Sequence, residues 1–257
     1  MVTLAAEVAT CALMVQPITG LAACSASSGP KTAVLVELYT SEGCSSCPPA
    51  DAQLGHLQQV LDPGADVVPL ALHVNYWDYI GWKDPYAQAA FSVRHQWLVQ
   101  ANGHTTVFTP HFFVGGIESR EWPADLRAQV RRQSAQPAQA KVELKGHLVR
   151  PSVMSVKAEA KLDANYPHAA LYLALTESKL TSRVTRGENA GTTLAHDHVV
   201  RAWFGPVALR GGSMVIQQDV LLDPSWLASQ LTAVAFVQDQ DSGRALQAVS
   251  ALSCAQP

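Results

Sequence analysis

The sequence lacks any marked excess of one charge: 18 lysines and arginines stand against 21 aspartates and glutamates, and the net charge of −3 is spread without blocks. That removes the electrostatic footprint of a nucleic-acid-binding protein, because phosphate contacts need a concentrated basic face. Beyond the N-terminal stretch no apolar run approaches the roughly 20 residues that cross a bilayer as a helix. Cysteine is scarce, five in 257 residues, and only Cys44 and Cys47 are spaced C-x-x-C. With no second pair, the four-ligand arrangement of a structural zinc site is incomplete. Basic residues are absent before Lys31.

What is present centres on Gly43-Cys44-Ser45-Ser46-Cys47-Pro48-Pro49, directly after the apolar run Ala33 to Tyr39. The run has the length and β-branched content of a buried strand, and Leu54, Leu57, Val60 and Leu61 recur beyond it at helical spacing. The cysteines therefore fall at a strand-to-helix join, and Pro48 and Pro49 suit the first helical turn, whose amides have no internal partner. The helix dipole favours a thiolate there, the form that attacks a disulfide. Cys44, nearer the loop, is expected to be the reachable attacking thiol. Cys47, one turn into the helix and less accessible, is expected to resolve the mixed disulfide. Two other readings stand beside this one: a permanent structural disulfide, and half of a metal site.

Residues 1–30 form a separate segment. An apolar stretch including Leu13, Met14 and Val15 ends in Leu21-Ala22-Ala23-Cys24, which resembles an export signal with a small-residue cleavage site, and also a lipobox whose cysteine is acylated. The missing basic residues, with Glu7, Gln16 and Pro17, depart from both patterns. Export would place the protein in the periplasm or outside the cell, with membrane attachment only if Cys24 carries lipid. Cys24 and Cys254 would then be free or paired with each other.

Residues 31–136 follow the order β-α-β-α-β-β-α. Val67 to Val74, bounded by Asp62-Pro63-Gly64, is a second buried strand whose pairing is expected to begin at Leu70 or to use an edge at Pro69, since Pro69 has no N–H. Tyr76, Trp77, Tyr79 and Trp82 crowd the following loop, either packed over it or lining an apolar groove. A helix is expected from Pro85 to Ala101, with Phe91, Arg94, Trp97 and Leu98 on its inner stripe. Thr109-Pro110 leads into His111 to Val114, then a Gly115-Gly116 turn, a hairpin partner from Ile117, and a helix from Pro123 to about Gln133.

Glu37-Leu38-Tyr39, the C-x-x-C segment through Asp51, His73-Val74-Asn75-Tyr76-Trp77-Asp78-Tyr79, Gly81-Trp82-Lys83-Asp84-Pro85 and Thr109-Pro110 together resemble an uncharacterised bacterial thioredoxin-like family, domain of unknown function 1223. The resemblance implies a thioredoxin-like fold, usually in exported proteins, with no established substrate and no cofactor. It implies that Thr109-Pro110 is a cis bond opposite the cysteines whose backbone pairs with the substrate chain. It also places Glu37 near the position of a buried acid that moves the proton of the second cysteine, one residue out of register; the alternative is an ordinary strand glutamate. His111, beside Pro110, either approaches the thiols or is turned away by strand alternation.

From 137 to 257 the pattern changes to alternation. About seven short strands, from Val142–Leu148 to Leu231–Asp239, suggest an all-β antiparallel sandwich, immunoglobulin-like. It holds no candidate nucleophile beyond Cys254, and His196-Asp197-His198 lacks further metal ligands. The sequence thus points to an α/β thioredoxin-like domain followed by the sandwich. The expected activity is thiol–disulfide exchange on protein thiols through Cys44 and Cys47, with Thr109 and Pro110 aligning the substrate. The competing functions are a copper- or zinc-binding protein using the same thiols and an adaptor with a fixed disulfide.

Overall fold

The structure is a computed structural model and describes residues 23–61, 66–162 and 166–252. The leader up to residue 22, the Asp62-Pro63-Gly64 breaker, Cys11 and Cys254 lie outside the described residues. In chain order the elements are β1 (Ala23–Ser27), β2 (Val34–Thr40), α1 (Pro48–Gly55), α2 (Leu57–Val60), β3 (Val67–His73), a 3₁₀ turn (Asn75–Ile80), α3 (Ala89–Ala101), β4 (His111–Val114), β5 (Ile117–Ser119) and α4 (Trp122–Ser134). Nine strands follow: β6 (Ala140–Arg150), β7 (Val153–Leu162), β8 (Ala169–Glu177), β9 (Leu180–Arg183), β10 (Thr193–His196), β11 (Val199–Ala208), β12 (Ser213–Leu221), β13 (Leu231–Asp239) and β14 (Ala245–Leu252). The protein is mixed α/β, mostly sheet with few helices.

Hydrogen bonding joins these strands into an eight-stranded sheet in the order β14-β13-β8-β11-β3-β2-β4-β5, a four-stranded sheet β1-β6-β7-β12 and the β9-β10 pair. The large sheet crosses the boundary expected at 136/137: β11 meets β3 at Val199 and Ala71 in parallel register, and otherwise pairs antiparallel with β8. β2 is central and buried along its whole length, parallel to β3 and antiparallel to β4. Strand alternation gives its two faces different neighbours. Val34, Val36 and Leu38 pack with Leu54, Leu126 and Val130 of α1 and α4. Leu35 and Tyr39 pack with Phe91 and Leu98 of α3 and, across the sheet, with Tyr172 and Phe236. A third core fills the space between the four-stranded sheet and β8 and β13.

Several local expectations need correction. Pairing of β3 with β2 begins at Val67 rather than Leu70 and runs through Pro69, opposite Val36; the other side of β3 meets β11 at one position, so a missing N–H is tolerated. The helix after the cysteines breaks at His56, and α3 starts at Ala89, four residues later than expected. The reason for the late start is that the Tyr86 N–H donates to Asp84 Oδ1 and the Gln88 N–H to the His73 carbonyl, so those amides are already engaged. The turn at Gly115-Gly116 is as expected, both residues having positive φ. A Cβ at Gly116 would stand 1.8 Å from the Gly243 carbonyl oxygen, because the β4-β5 turn lies against the β13-β14 turn. β1, β10 and β14 were not anticipated. Cys24 sits within β1, opposite Gly146 of β6, and is disulfide-bonded.

Candidate functional site

The chain leaves the buried strand β2 at Thr40 and turns through Ser41 to Ser46 before α1 begins. The Cys44 N–H donates to the Ser41 carbonyl, the Gly43 N–H to Ser41 Oγ, and the Cys47 N–H to the Cys44 carbonyl. Cys47 is therefore the N-cap of α1, not a residue one turn inside it, with both prolines in the first turn where no N–H is needed. Cys44 and Cys47 form a disulfide, their Cα atoms 5.4 Å apart. The Ser46 hydroxyl stands 3.3 Å from Cys44 Sγ and is the donor there, since a disulfide sulfur carries no proton.

Thr109-Pro110 is a cis bond, as the resemblance implied, and the Thr109 carbonyl oxygen lies 3.7 Å from Cys44 Sγ. The aromatic loop closes the other side. Trp77 donates from Nε1 to Thr109 Oγ1 at 2.7 Å, and Trp82 from Nε1 to Glu42 Oε2 at 2.8 Å. Of the four loop aromatics only Tyr79 is widely exposed, at 82%; the others pack over the loop.

Accessibility departs from the expectation. Cys44 is only 1% exposed and Cys47 0%. The loop that carries them is held from far along the chain, by the β9-β10 connection. Asn189 donates from Nδ2 to the carbonyls of Glu42 and Cys44 at 2.9 and 3.0 Å, and Glu188 accepts from the Ser45 N–H at 3.0 Å. These residues cap the cysteine loop, and sequence reasoning had no signal for them, since Asn189 is 145 positions from Cys44.

Behind the loop lies a buried cluster of acids and histidines that sequence reasoning also missed. Asp84 Oδ2 accepts from His73 Nδ1 at 2.7 Å and from the Glu42 N–H at 2.9 Å, and Glu42 Oε1 accepts from His196 Nε2 at 3.1 Å. Asp51, one turn after Cys47, stands 3.9 Å from His196 Nδ1. Burial alone would pull the His73 imidazole down, but the Asp84 carboxylate bonded to it prevails and its pKa is raised. Burial would likewise raise Asp84; the charge of His73 and the N–H groups of Glu42 and Tyr86 outweigh it, and Asp84 is lowered. Asp51 is raised, chiefly by burial.

Glu37 is not brought to the cysteines. It faces α3, where its Oε1 accepts from Arg94 Nε at 2.8 Å and from the Tyr39 hydroxyl at 3.2 Å, while its neighbours Val36 and Leu38 face α1. His111 is also turned from the sulfurs, bonded to His95 and Glu118. β10 ends at His196 and His198 takes a positive φ, so the two imidazoles do not share a strand face. Among the described residues no group of three His, Cys, Asp or Glu side chains could hold a metal ion, and no helix is long and apolar enough to cross a membrane.

The family description "Protein of unknown function (DUF1223)" matches residues 35–238. Among solved structures, HBP35 of Porphyromonas gingivalis is 21% identical, with a TM-score of 0.71 over 89% of this chain and 78% of that one. A protein of Agrobacterium tumefaciens is 23% identical, with a TM-score of 0.61 over 88% of this chain and 96% of that one. Likeness at such identities establishes the fold alone. No curated protein matches.

Proposed function

The chain belongs to the family described as protein of unknown function DUF1223, and from that premise we propose that it is a thiol–disulfide oxidoreductase of thioredoxin-like type acting on protein thiols. The observation that carries this reading is a disulfide between the N-cap of α1 and the preceding loop, faced across 3.7 Å by the carbonyl of Thr109. The β3-β2-β4-β5 part of the large sheet, with helices on its faces, supports the thioredoxin-like assignment, and the packing of the four-stranded sheet on β8 and β13 supports a sandwich in the second half. Two disulfide-bonded sites, at Cys24 and at Cys44–Cys47, favour an exported, oxidising location.

In the exchange a substrate thiolate attacks Cys44 Sγ, the Cys44–Cys47 bond breaks, and Cys47 leaves as the thiolate stabilised by the first turn of α1. A second substrate thiolate then attacks the mixed disulfide at the substrate sulfur, releasing Cys44. Two substrate thiols are oxidised to one disulfide, and the protein gains two electrons. In the reverse direction Cys44 attacks and Cys47 resolves. The expected result is a mixed disulfide trapped by Cys47→Ala with a thiol-containing protein client, and loss of exchange in Cys44→Ala. Exchange retained in Cys44→Ala would overturn the assignment of the attacker.

The burial of both sulfurs favours a second reading, a permanent disulfide. The cap separates the two. Losing the buried Asn189 amide, with its two hydrogen bonds, removes about 1–3 kcal/mol of hold on the loop, where about 1.4 kcal/mol is tenfold in an equilibrium. Asn189→Ala is therefore expected to speed reduction of the Cys44–Cys47 bond by a small dithiol about tenfold, measured by thiol labelling under native conditions. An unchanged, slow rate would favour the permanent disulfide.

A further inference from the structure

The four-stranded sheet ends on β12, which pairs with β7 on one side and, among the described residues, with no strand on the other. An edge strand presents a row of unpaired N–H and C=O groups, and proteins blunt it by brevity, proline, lysine, a bulge or a cover. The other strands with an open side are treated in this way. β5 has three residues and β1 five, β14 is largely buried, and β11, open along much of its length beyond Val199, carries Pro206 and two register shifts. β12 has none of these devices. Its nine residues match β7 without a shift and include no proline, lysine or arginine and a single charge, Asp219.

The residue pattern of β12 is symmetric about Gln218. Met214-Val215-Ile216 stand before Gln217-Gln218-Asp219, and Val220-Leu221-Leu222 after them. Residues directly opposite in an antiparallel pair share a face, so a two-fold axis relating two such strands passes through a residue. With the axis at Gln218, Val215 stands opposite Leu221 of the second copy, Ile216 opposite Val220 and Gln217 opposite Asp219. Apolar side chains then meet on both faces, and an amide donates to the one carboxylate. The two Gln218 amides meet on the axis, each offering the other a donor and an acceptor. An axis at Gln217 would set Val215 against Asp219, and an axis at Asp219 would set the two carboxylates face to face, a repulsive pair.

The exposure of β12 follows the same pattern. Val215 is 51% and Leu221 72% exposed. Gln218 is also exposed, although it lies on the row of Met214, Ile216 and Val220, which are buried. Beside Val215 is a cavity of about 610 Å³ whose lining includes Pro206, Val207, Met214 and Val215 itself. The axis at Gln218 brings Leu221 of the second copy to that cavity, once in each direction.

We propose that two copies of this chain join edge to edge through β12, antiparallel about Gln218, so that two four-stranded sheets become one continuous sheet. Main-chain hydrogen bonds along about 30 Å of strand hold the pair, and the apolar contacts at its two ends set the register. The contact is isologous and closes at two copies, which uses up both open edges. It involves neither cysteine of the thiol site, so it stands or falls separately from the oxidoreductase reading.

The test reads the mass of the full chain by sedimentation equilibrium. The wild type is expected to approach twice the chain mass as concentration rises; a single-chain mass at every concentration up to about 0.1 mM, a hundredfold above a dissociation constant of about 1 μM, overturns the proposal. Val215→Lys and Leu221→Glu each bring an unpaired charge to an apolar contact and are expected to weaken the dimer at least tenfold. Both positions are exposed, so the melting temperature should stay near that of the wild type. In the double variant each introduced ammonium faces an introduced carboxylate across the axis, and most of the affinity should return. A dimer unaffected by either single change, or a double variant as weak as the singles, overturns the pairing. Gln218→Cys sets two thiols on the axis, where opposite Cα atoms are about 4.5–5.5 Å apart and within reach of a disulfide. Oxidation is expected to link its two copies covalently, whereas Val215→Cys, six positions from its own counterpart, should not link; the reverse result overturns the register.

Discussion

Arg94→Met is expected to destabilise the protein by about 3–5 kcal/mol, the cost of removing one partner of a buried ion pair and leaving the other charge uncompensated. Glu37 is fully buried on β2 and Arg94 reaches it from α3; the same guanidinium donates from Nη2 to Gln238 Oε1 at 2.7 Å on β13. Four rings surround it, with Tyr172 and Trp203 at 4.9 Å and Trp97 and Phe236 at 5.4 Å from its carbon. A desolvated cation over aromatic faces adds about 2 kcal/mol or more. The group thus ties β2 and β13, four places apart in the large sheet, to one helix. Thermal unfolding should fall by roughly 10 °C, at about 2–4 °C per kcal/mol for a chain of this size. Glu37→Leu combined with Arg94→Met should recover part of the loss, since no buried carboxylate is left unpaired. A single-variant loss below about 1 kcal/mol would show that Arg94 does not anchor the sheet.

Acidification is expected to have the next largest effect, with stability falling steadily between about pH 6.5 and pH 4. His95 and His111 resist protonation in the folded protein, down to about 3 and about 4, whereas an unfolded histidine takes a proton near 6.5. In that window the unfolded chain binds more protons, so stability rises with pH and is lost as pH falls, at up to about 1.4 kcal/mol per pH unit for each group. His73 acts in the other direction. Its raised pKa gives stability that is fully present below 6.5 and is lost as pH rises through the folded value. Asp84, lowered, adds stability that is present above the unfolded carboxylate value and lost only at stronger acid, and Asp51, raised, blunts the acid limb. The maximum is therefore expected near neutrality. Denaturant titrations from pH 4 to 8 would check the slope, and His95→Phe, which keeps the stack on Tyr39, should reduce it by about one proton. A flat profile would contradict the neutral, buried state of the two imidazoles.

Some of this was legible from short-range pattern. The strand-to-helix join at Cys44 and Cys47 followed from an apolar run, two prolines and a helical stripe, all within thirty residues. Apart from β10, the strands from Val142 to Asp239 followed from alternation, because a half-buried strand imposes a period of two on its side chains. Arg94 fell on the inner stripe of its helix by spacing alone, although spacing does not say that a guanidinium in a core needs Glu37 and four rings. Glu37 itself was placed by a likeness of position; which face of β2 it occupies depends on the register of that strand against β3 and β4.

The sequence by itself determined periods, turns and the place of the C-x-x-C pair at a strand-to-helix join, since each depends on neighbours a few bonds away. Only the tertiary structure decided that Asn189 and Glu188 bond the backbone of the cysteine loop, that His196 joins Glu42, and that His95, His111 and Glu118 stand in one row. Those contacts join residues on different elements, and for Asn189 and His196 they span about 150 positions. They are fixed by how β11 docks on β3 and by where each hairpin turns, and a hydrogen bond constrains atoms in space while leaving no period along the chain.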